Sequence, residues 1–156
     1  MMADRIRAAS SAIEFAHARD LIKEYASTLD TDLCFQGFDA ELANLPDVYK
    51  RPDGCVLLAW HDDKLVGCVA LRKYAQGIAE LKRLYVRPIA RGLGIGRALT
   101  LAALAEARQA GYQRVVLDTL ADMTNAQSLY LDLGFRDIDP YYDNPIPGAR
   151  YLGLTL

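Results

Sequence analysis

Apolar and polar positions follow two rhythms along this chain, and the switches between them divide it into elements. Ile13, Ala16, Leu21, Ile22 and Tyr25 recur at helical spacing. They predict a helix running to residue 28, opened by Ser11 and Glu14 as a capping box. A short strand at 6–9 precedes it. Residues 29–38 show little period and read as a loop, and Asp39 is placed to cap a short helix ending before Pro46. An apolar run at 54–60, the polar turn His61-Asp62-Asp63-Lys64 and a second apolar run at 65–71 predict a hairpin. A further strand is expected at 79–86, stopped by Pro88. A helix at 95–110 ends at Gly111, a natural left-handed cap, and a β-branched strand at 114–120 follows. Thr124 and Gln127 form a second capping-box pattern, opening a helix that ends at Gly134. Strands at 135–139 and 150–156 close the chain, with Leu152, Leu154 and Leu156 alternating in the last.

The predicted order is therefore β-α-α-β-β-β-α-β-α-β-β, in one domain spanning 1–156. A strand–helix–strand unit of this length implies parallel strands and a right-handed crossover. The fold class is α/β with a mixed sheet, antiparallel in its N-terminal strands and parallel around the 95–110 helix, with helices on both faces.

Composition changes this picture little but excludes some functions. The 156 residues are 52% hydrophobic and 24% charged, with a formal net charge of −2. The chain lacks the basic excess of a general nucleic-acid binder, and no apolar run approaches the ~18 residues of a membrane span. Met1-Met2-Ala3-Asp4-Arg5 lacks the apolar core of a secretion signal, so a cytoplasmic location is expected. Cys34, Cys55 and Cys68 have no metal-type spacing, which leaves buried thiols in a reducing compartment and no metal site. His17 reads as a helix-surface residue and His61 as a turn residue.

The chemistry gathers at Arg91-Gly92-Leu93-Gly94-Ile95-Gly96, between a strand and a long helix. A helix start leaves N–H groups unpaired and carries partial positive charge. Glycine removes the Cβ atoms that would hold an anion away from them. Spacing sorts the ligand classes. A triphosphate loop needs Lys then Ser or Thr after its last glycine, where this chain has Arg97-Ala98. A dinucleotide fingerprint would put its third glycine on Arg97 or Leu99.

Arg91-x-x-Gly94-x-Gly96 resembles the R/Q-x-x-G-x-G/A signature of the GCN5-related N-acetyltransferases, the GNAT family. The stretch Glu80-Leu81-Lys82-Arg83-Leu84-Tyr85-Val86-Arg87-Pro88 resembles that family's fourth strand. Ala126-x-x-x-Tyr130-x-x-x-Gly134-Phe135 resembles its later helix-to-strand motif. With the element order, the resemblance covers nearly the whole chain. It implies that acetyl-coenzyme A is the co-substrate. Its pyrophosphate would lie on Gly92, Leu93, Gly94, Ile95, Gly96 and Arg97, with Arg91 and Arg97 adding charge. Its pantetheine arm would run along Leu84, Tyr85 and Val86, where the fourth and fifth strands of the family splay apart.

The resemblance also implies catalytic roles. Glu80 is the expected general base, acting directly or through water, and Tyr130 the expected general acid toward the leaving thiolate. A backbone N–H near Leu84 would be the oxyanion donor. On a regular strand Glu80 and Lys82 share a face and could pair, and a bulge would change which face Glu80 occupies. The family's asparagine seven residues before the tyrosine is replaced by Met123, with Asn125 two residues on.

The expected acceptor is a primary amine on a small molecule or peptide. Asp30, Asp32, Gln36, Tyr141, Tyr142 and Asp143 lie in the segments that, by the resemblance, set acceptor choice, and their acidic and aromatic mix suits a cation. No nucleic-acid or membrane partner is expected, and the final strands offer an edge for a homodimer. The alternative function is a non-catalytic module that binds acetyl-coenzyme A as a sensor or regulator.

Overall fold

The computed structural model of the chain describes residues 5–29, 33 and 37–156; Asp30, Asp32, Cys34 and Gln36 lie outside them. Among the described residues, seven strands form one sheet. They are β1 (Arg5–Ala8), β2 (Cys55–His61), β3 (Lys64–Ala75), β4 (Ile78–Val86), β5 (Arg114–Thr119), β6 (Arg136–Asp137) and β7 (Arg150–Thr155). Their spatial order is β1-β2-β3-β4-β5-β7-β6. Of these strands only β4 and β5 pair in parallel, which gives the expected mixed sheet.

The helices are α1 (Ala12–Ser27), α2 (Phe38–Ala43), α3 (Leu45–Val48), α4 (Ile95–Gln109) and α5 (Thr124–Asp132). They cover both faces, because side chains alternate across each strand. Cys55, Leu57, Val69, Leu71, Ala79, Leu81, Val115 and Leu117 form one core with Leu99, Ala103 and Leu104 of α4 and with Tyr130 and Phe135. Val56, Leu58, Cys68, Ala70 and Tyr85 form the other with Ala18, Leu21 and Ile22 of α1 and with Leu45 and Tyr49.

Local chemistry explains most element ends. The Ser11–Glu14 capping box opens α1 as expected. Asp62 and Asp63 both adopt positive φ (49° and 62°), the two-residue turn whose twist suits a hairpin. Two expectations need correction. Asp39 lies inside α2, with left-handed Gly37 at the cap. That helix does end before Pro46, at Ala43, and Pro46 sits in the first turn of α3, where its missing N–H costs nothing. Thr124 also lies inside its helix: Met123 occupies the N-cap, and the Gln127 side chain donates to the Leu120 carbonyl at 2.7 Å. Strand β3 is longer than its apolar run predicts, turning into β4 at Gln76 and Gly77 (φ 76°).

Candidate active site

Strands β4 and β5 part company early. They pair at Ile78–Arg114, Ala79–Val115 and Glu80–Val116, and pairing ends there although both strands continue. The opening is a cavity lined by Leu81, Lys82 and Leu84 on one wall and by Asp118, Thr119 and Tyr130 on the other. A second, wider cavity is lined by Tyr85, Val86, Arg91 and Gly96. Tyr25, Leu29, Leu84, Met123 and Ala126 line both, so the two make one cleft from the glycine loop into the sheet.

At the outer end, Gly92 and Gly94 adopt φ of 81° and 80°, a region other residues enter at a cost. Gly94 is the N-cap of α4 and supplies no side-chain bond, so the first N–H groups of this fifteen-residue helix face outward. A Cβ at Gly96 would meet only Leu129 and Val86, both at 3.8 Å, so packing does not demand glycine there. Leu93 is exposed and Ile95 is buried in the core, which leaves Ile95 only its backbone to offer a ligand. Arg91 is exposed, and its Nε donates to the Val86 carbonyl at 3.0 Å. Arg97 pairs with Asp132 of α5, so an anion would have to compete for its guanidinium.

The β4 wall carries a bulge. Its register with β3 jumps from Ala70–Lys82 to Cys68–Tyr85, and Arg83 adopts φ of 61°. A non-glycine residue holds that conformation only when its surroundings dictate it. Here they do. Arg83 Nε and Nη2 donate to the two carboxylate oxygens of Glu41 at 2.9 and 2.8 Å, both side chains are buried, and the guanidinium lies over the Phe38 ring. The bulge follows Glu80, so Glu80 and Lys82 remain on one face and Arg83 joins them, while Leu84 and Val86 turn to the α4 core.

Glu80 is 2% exposed. Its carboxylate accepts hydrogen bonds from Arg72 Nε at 3.0 Å and from the Tyr141 hydroxyl at 2.6 Å. It does not line the cleft; Asp118 and Lys82 line the inner cavity and Asp122 the outer one. Asp118 Oδ2 accepts from the Tyr142 hydroxyl and from Asn144 Nδ2, the latter at 2.8 Å. Burial, with the Arg83 charge added, pushes the Lys82 ammonium down to about 8, against the opposing pull of Glu80 and Glu41. Tyr130 lines the cavity and packs on Phe135 with ring centroids 5.5 Å apart. Burial raises its phenol well above the ordinary value, so it stays protonated at neutral pH. Among the described residues its hydroxyl has no hydrogen-bond partner.

Other expected residues fall as follows. Met123 caps α5, lines the cleft and accepts a hydrogen bond from Thr119 at 3.7 Å, while Asn125 lines the outer part. Asp143 is exposed and lines the outer face of its loop rather than the cleft. Cys55 and Cys68 are buried free thiols, each pushed up to about 12 by burial. Sequence reasoning weighed Lys82 only as a partner for Glu80 and passed over Asp118, whose available signal was an acid directly after the apolar run Val115-Val116-Leu117 of a strand.

The comparisons agree with this geometry. A sequence model of the Acetyltransferase (GNAT) family matches residues 15–135. The chain is 41% identical over 138 residues to an uncharacterized N-acetyltransferase of Schizosaccharomyces pombe, covering 87% of this chain and 85% of that protein. It is 32% identical over 146 residues to the human N-acetylaspartate synthetase, covering 92% of this chain and 45% of that protein. Its fold matches the PaiA N-acetyltransferase of Thermoplasma acidophilum, solved in complex with coenzyme A, with a TM-score of 0.76 at 20% identity over 99% and 100% of the two chains. The protein belongs to the acetyltransferase (GNAT) family. Among the described residues, no helix is long and apolar enough to cross a membrane.

Proposed function

We propose that the protein transfers an acetyl group from acetyl-coenzyme A to a primary amine by direct attack. The observation that carries this reading is the continuous cleft from the N-terminus of α4 to Tyr130, between strands that stop pairing at Glu80. Pyrophosphate would lie on the N–H groups at residues 93–97 with Arg91 beside it. The pantetheine arm would run along Leu84, Tyr85 and Val86, whose β5-facing edge has no strand partner. A protein of the same fold, the Thermoplasma N-acetyltransferase, was solved with coenzyme A, which supports the choice of co-substrate.

The chemistry then divides among few groups. The amine nitrogen attacks the thioester carbonyl, the C–N bond forms, and the C–S bond breaks. An N–H near Leu84 stabilises the oxyanion. The proton lost by the amine passes to Glu80 through water, because Arg72 and Tyr141 already hold both of its oxygens. Tyr130, protonated and facing the cleft, gives its proton to the departing thiolate.

Thiol release across an amine panel tests the reading. Tyr130→Phe and Glu80→Gln should each slow turnover by roughly 10²–10⁴-fold. Acetyl-coenzyme A at 100 times its Kd should add about 2.7 kcal/mol of stability. Stabilisation without turnover of any amine would instead make the protein a binding module, and losses of only a few-fold would overturn the two role assignments.

A further inference from the structure

Parallel register places two opposite charges face to face across the cleft. Glu80 and Val116 are the last paired residues of β4 and β5. Two positions further on, on the same face of each strand, stand Lys82 and Asp118. The strands have separated by then, and both side chains line the same cavity. Much of the remaining wall is apolar: Leu29, Leu33 and Ile146. Few polar groups in an apolar wall are what orients a small ligand.

Among the described residues, the charges beside Lys82 on β4 are themselves paired. Arg83 is tied through two donors to Glu41, and Glu80 is held by Arg72 and Tyr141. Asp118 accepts from two neutral donors, Tyr142 and Asn144, and both bind Oδ2. Oδ1 takes no hydrogen bond among the described residues.

We propose that the acceptor is an α-amino acid, with Lys82 binding its carboxylate and Asp118 its ammonium. The assignment rests on the N-acetyltransferase reading above. A zwitterion brings its charges to the two walls of the opening, which sets its nitrogen between β4 and β5, where the thioester would lie. A plain amine would engage the Asp118 wall alone and gain nothing from the positive charge on the wall opposite.

The test uses the full chain with acetyl-coenzyme A and measures thiol release. The acceptors are the twenty α-amino acids, their α-carboxamides and the matching decarboxylated amines. The free amino acid should exceed its amide and its decarboxylated amine by roughly 10- to 100-fold in kcat/KM. Lys82→Met should bring that ratio to within a few-fold of one with the KM for acetyl-coenzyme A unchanged, and Lys82→Arg should keep part of it. Asp118→Asn should raise the KM of every amine without changing the ratio. Equal use of amines lacking the carboxylate overturns the inference, as does a ratio that survives Lys82→Met. A thermal shift with acetyl-coenzyme A but no turnover of any amino acid also overturns it. No shift at all overturns the N-acetyltransferase reading with it.

Discussion

Lys82→Met should make the protein more stable at neutral pH while impairing it. The Lys82 side chain is nearly buried, and its ammonium is pushed from 10.5 to about 8, first by burial and then by Arg83. Displacing a pKa by one pH unit corresponds to about 1.4 kcal/mol, so holding the charge at pH 7 costs the folded state roughly 3 kcal/mol. The sign follows from proton counting. Between pH 8 and 10.5 the unfolded chain binds the proton more than the folded one, so wild-type stability gains from this group as pH rises and loses it as pH falls through about 8. Methionine fills a similar volume without charge. The variant should therefore melt higher at pH 7, by several degrees at roughly 2–4 °C per kcal/mol for a domain of this size. The gap should narrow by a pH of about 9.5. Thermal unfolding followed by circular dichroism at the two pH values measures it. A variant that melts lower at pH 7, or a gap independent of pH, would refute the reasoning.

Further predictions concern the frame of the site. Glu41→Leu leaves Arg83 buried without its anion and should cost about 3–5 kcal/mol in urea unfolding. The double change Glu41→Leu/Arg83→Met should recover most of that loss, because an uncompensated charge is costlier than an apolar pair of similar volume. Gly94→Ala should cost about 1–2 kcal/mol from its positive φ alone, since a Cβ there meets nothing within 4 Å. Gly96→Ala, by contrast, should leave the melting temperature unchanged or raise it and still increase the KM for acetyl-coenzyme A, because its Cβ would stand in the ligand's path.

What could be read from the chain depended on how local its cause was. The alternation of Leu152, Leu154 and Leu156, the Ser11–Glu14 box and the glycine cap at Gly111 are short-range signals, and each marks its element in the structure. The bulge is not of that kind. Nothing beside Arg83 favours positive φ; its cause is Glu41, 42 residues earlier in the chain. The same holds for Glu80. Its position on the strand was legible, but its capping by Arg72 and by Tyr141, 61 residues away, was not. Lys82 and Asp118 acquire meaning only once it is known where β4 and β5 stop pairing, and that is a property of two strands together.

The end of that pairing also explains why the site lies inside the sheet rather than on its rim. An interior strand that loses its neighbour presents unpaired N–H and C=O groups, and buried backbone groups need partners. Strand β4 meets this on one edge only, since β3 pairs with it through Val86, apart from the bulge. On the other edge, beyond Glu80, the cleft admits water or an extended ligand arm in place of a strand. Beyond the end of that pairing the bulge at Arg83 interrupts the ladder with β3, and the Glu41 pair holds Arg83 in place. Glu41 does not line the cleft, yet through Arg83 it holds the bulge that begins one residue beyond Lys82.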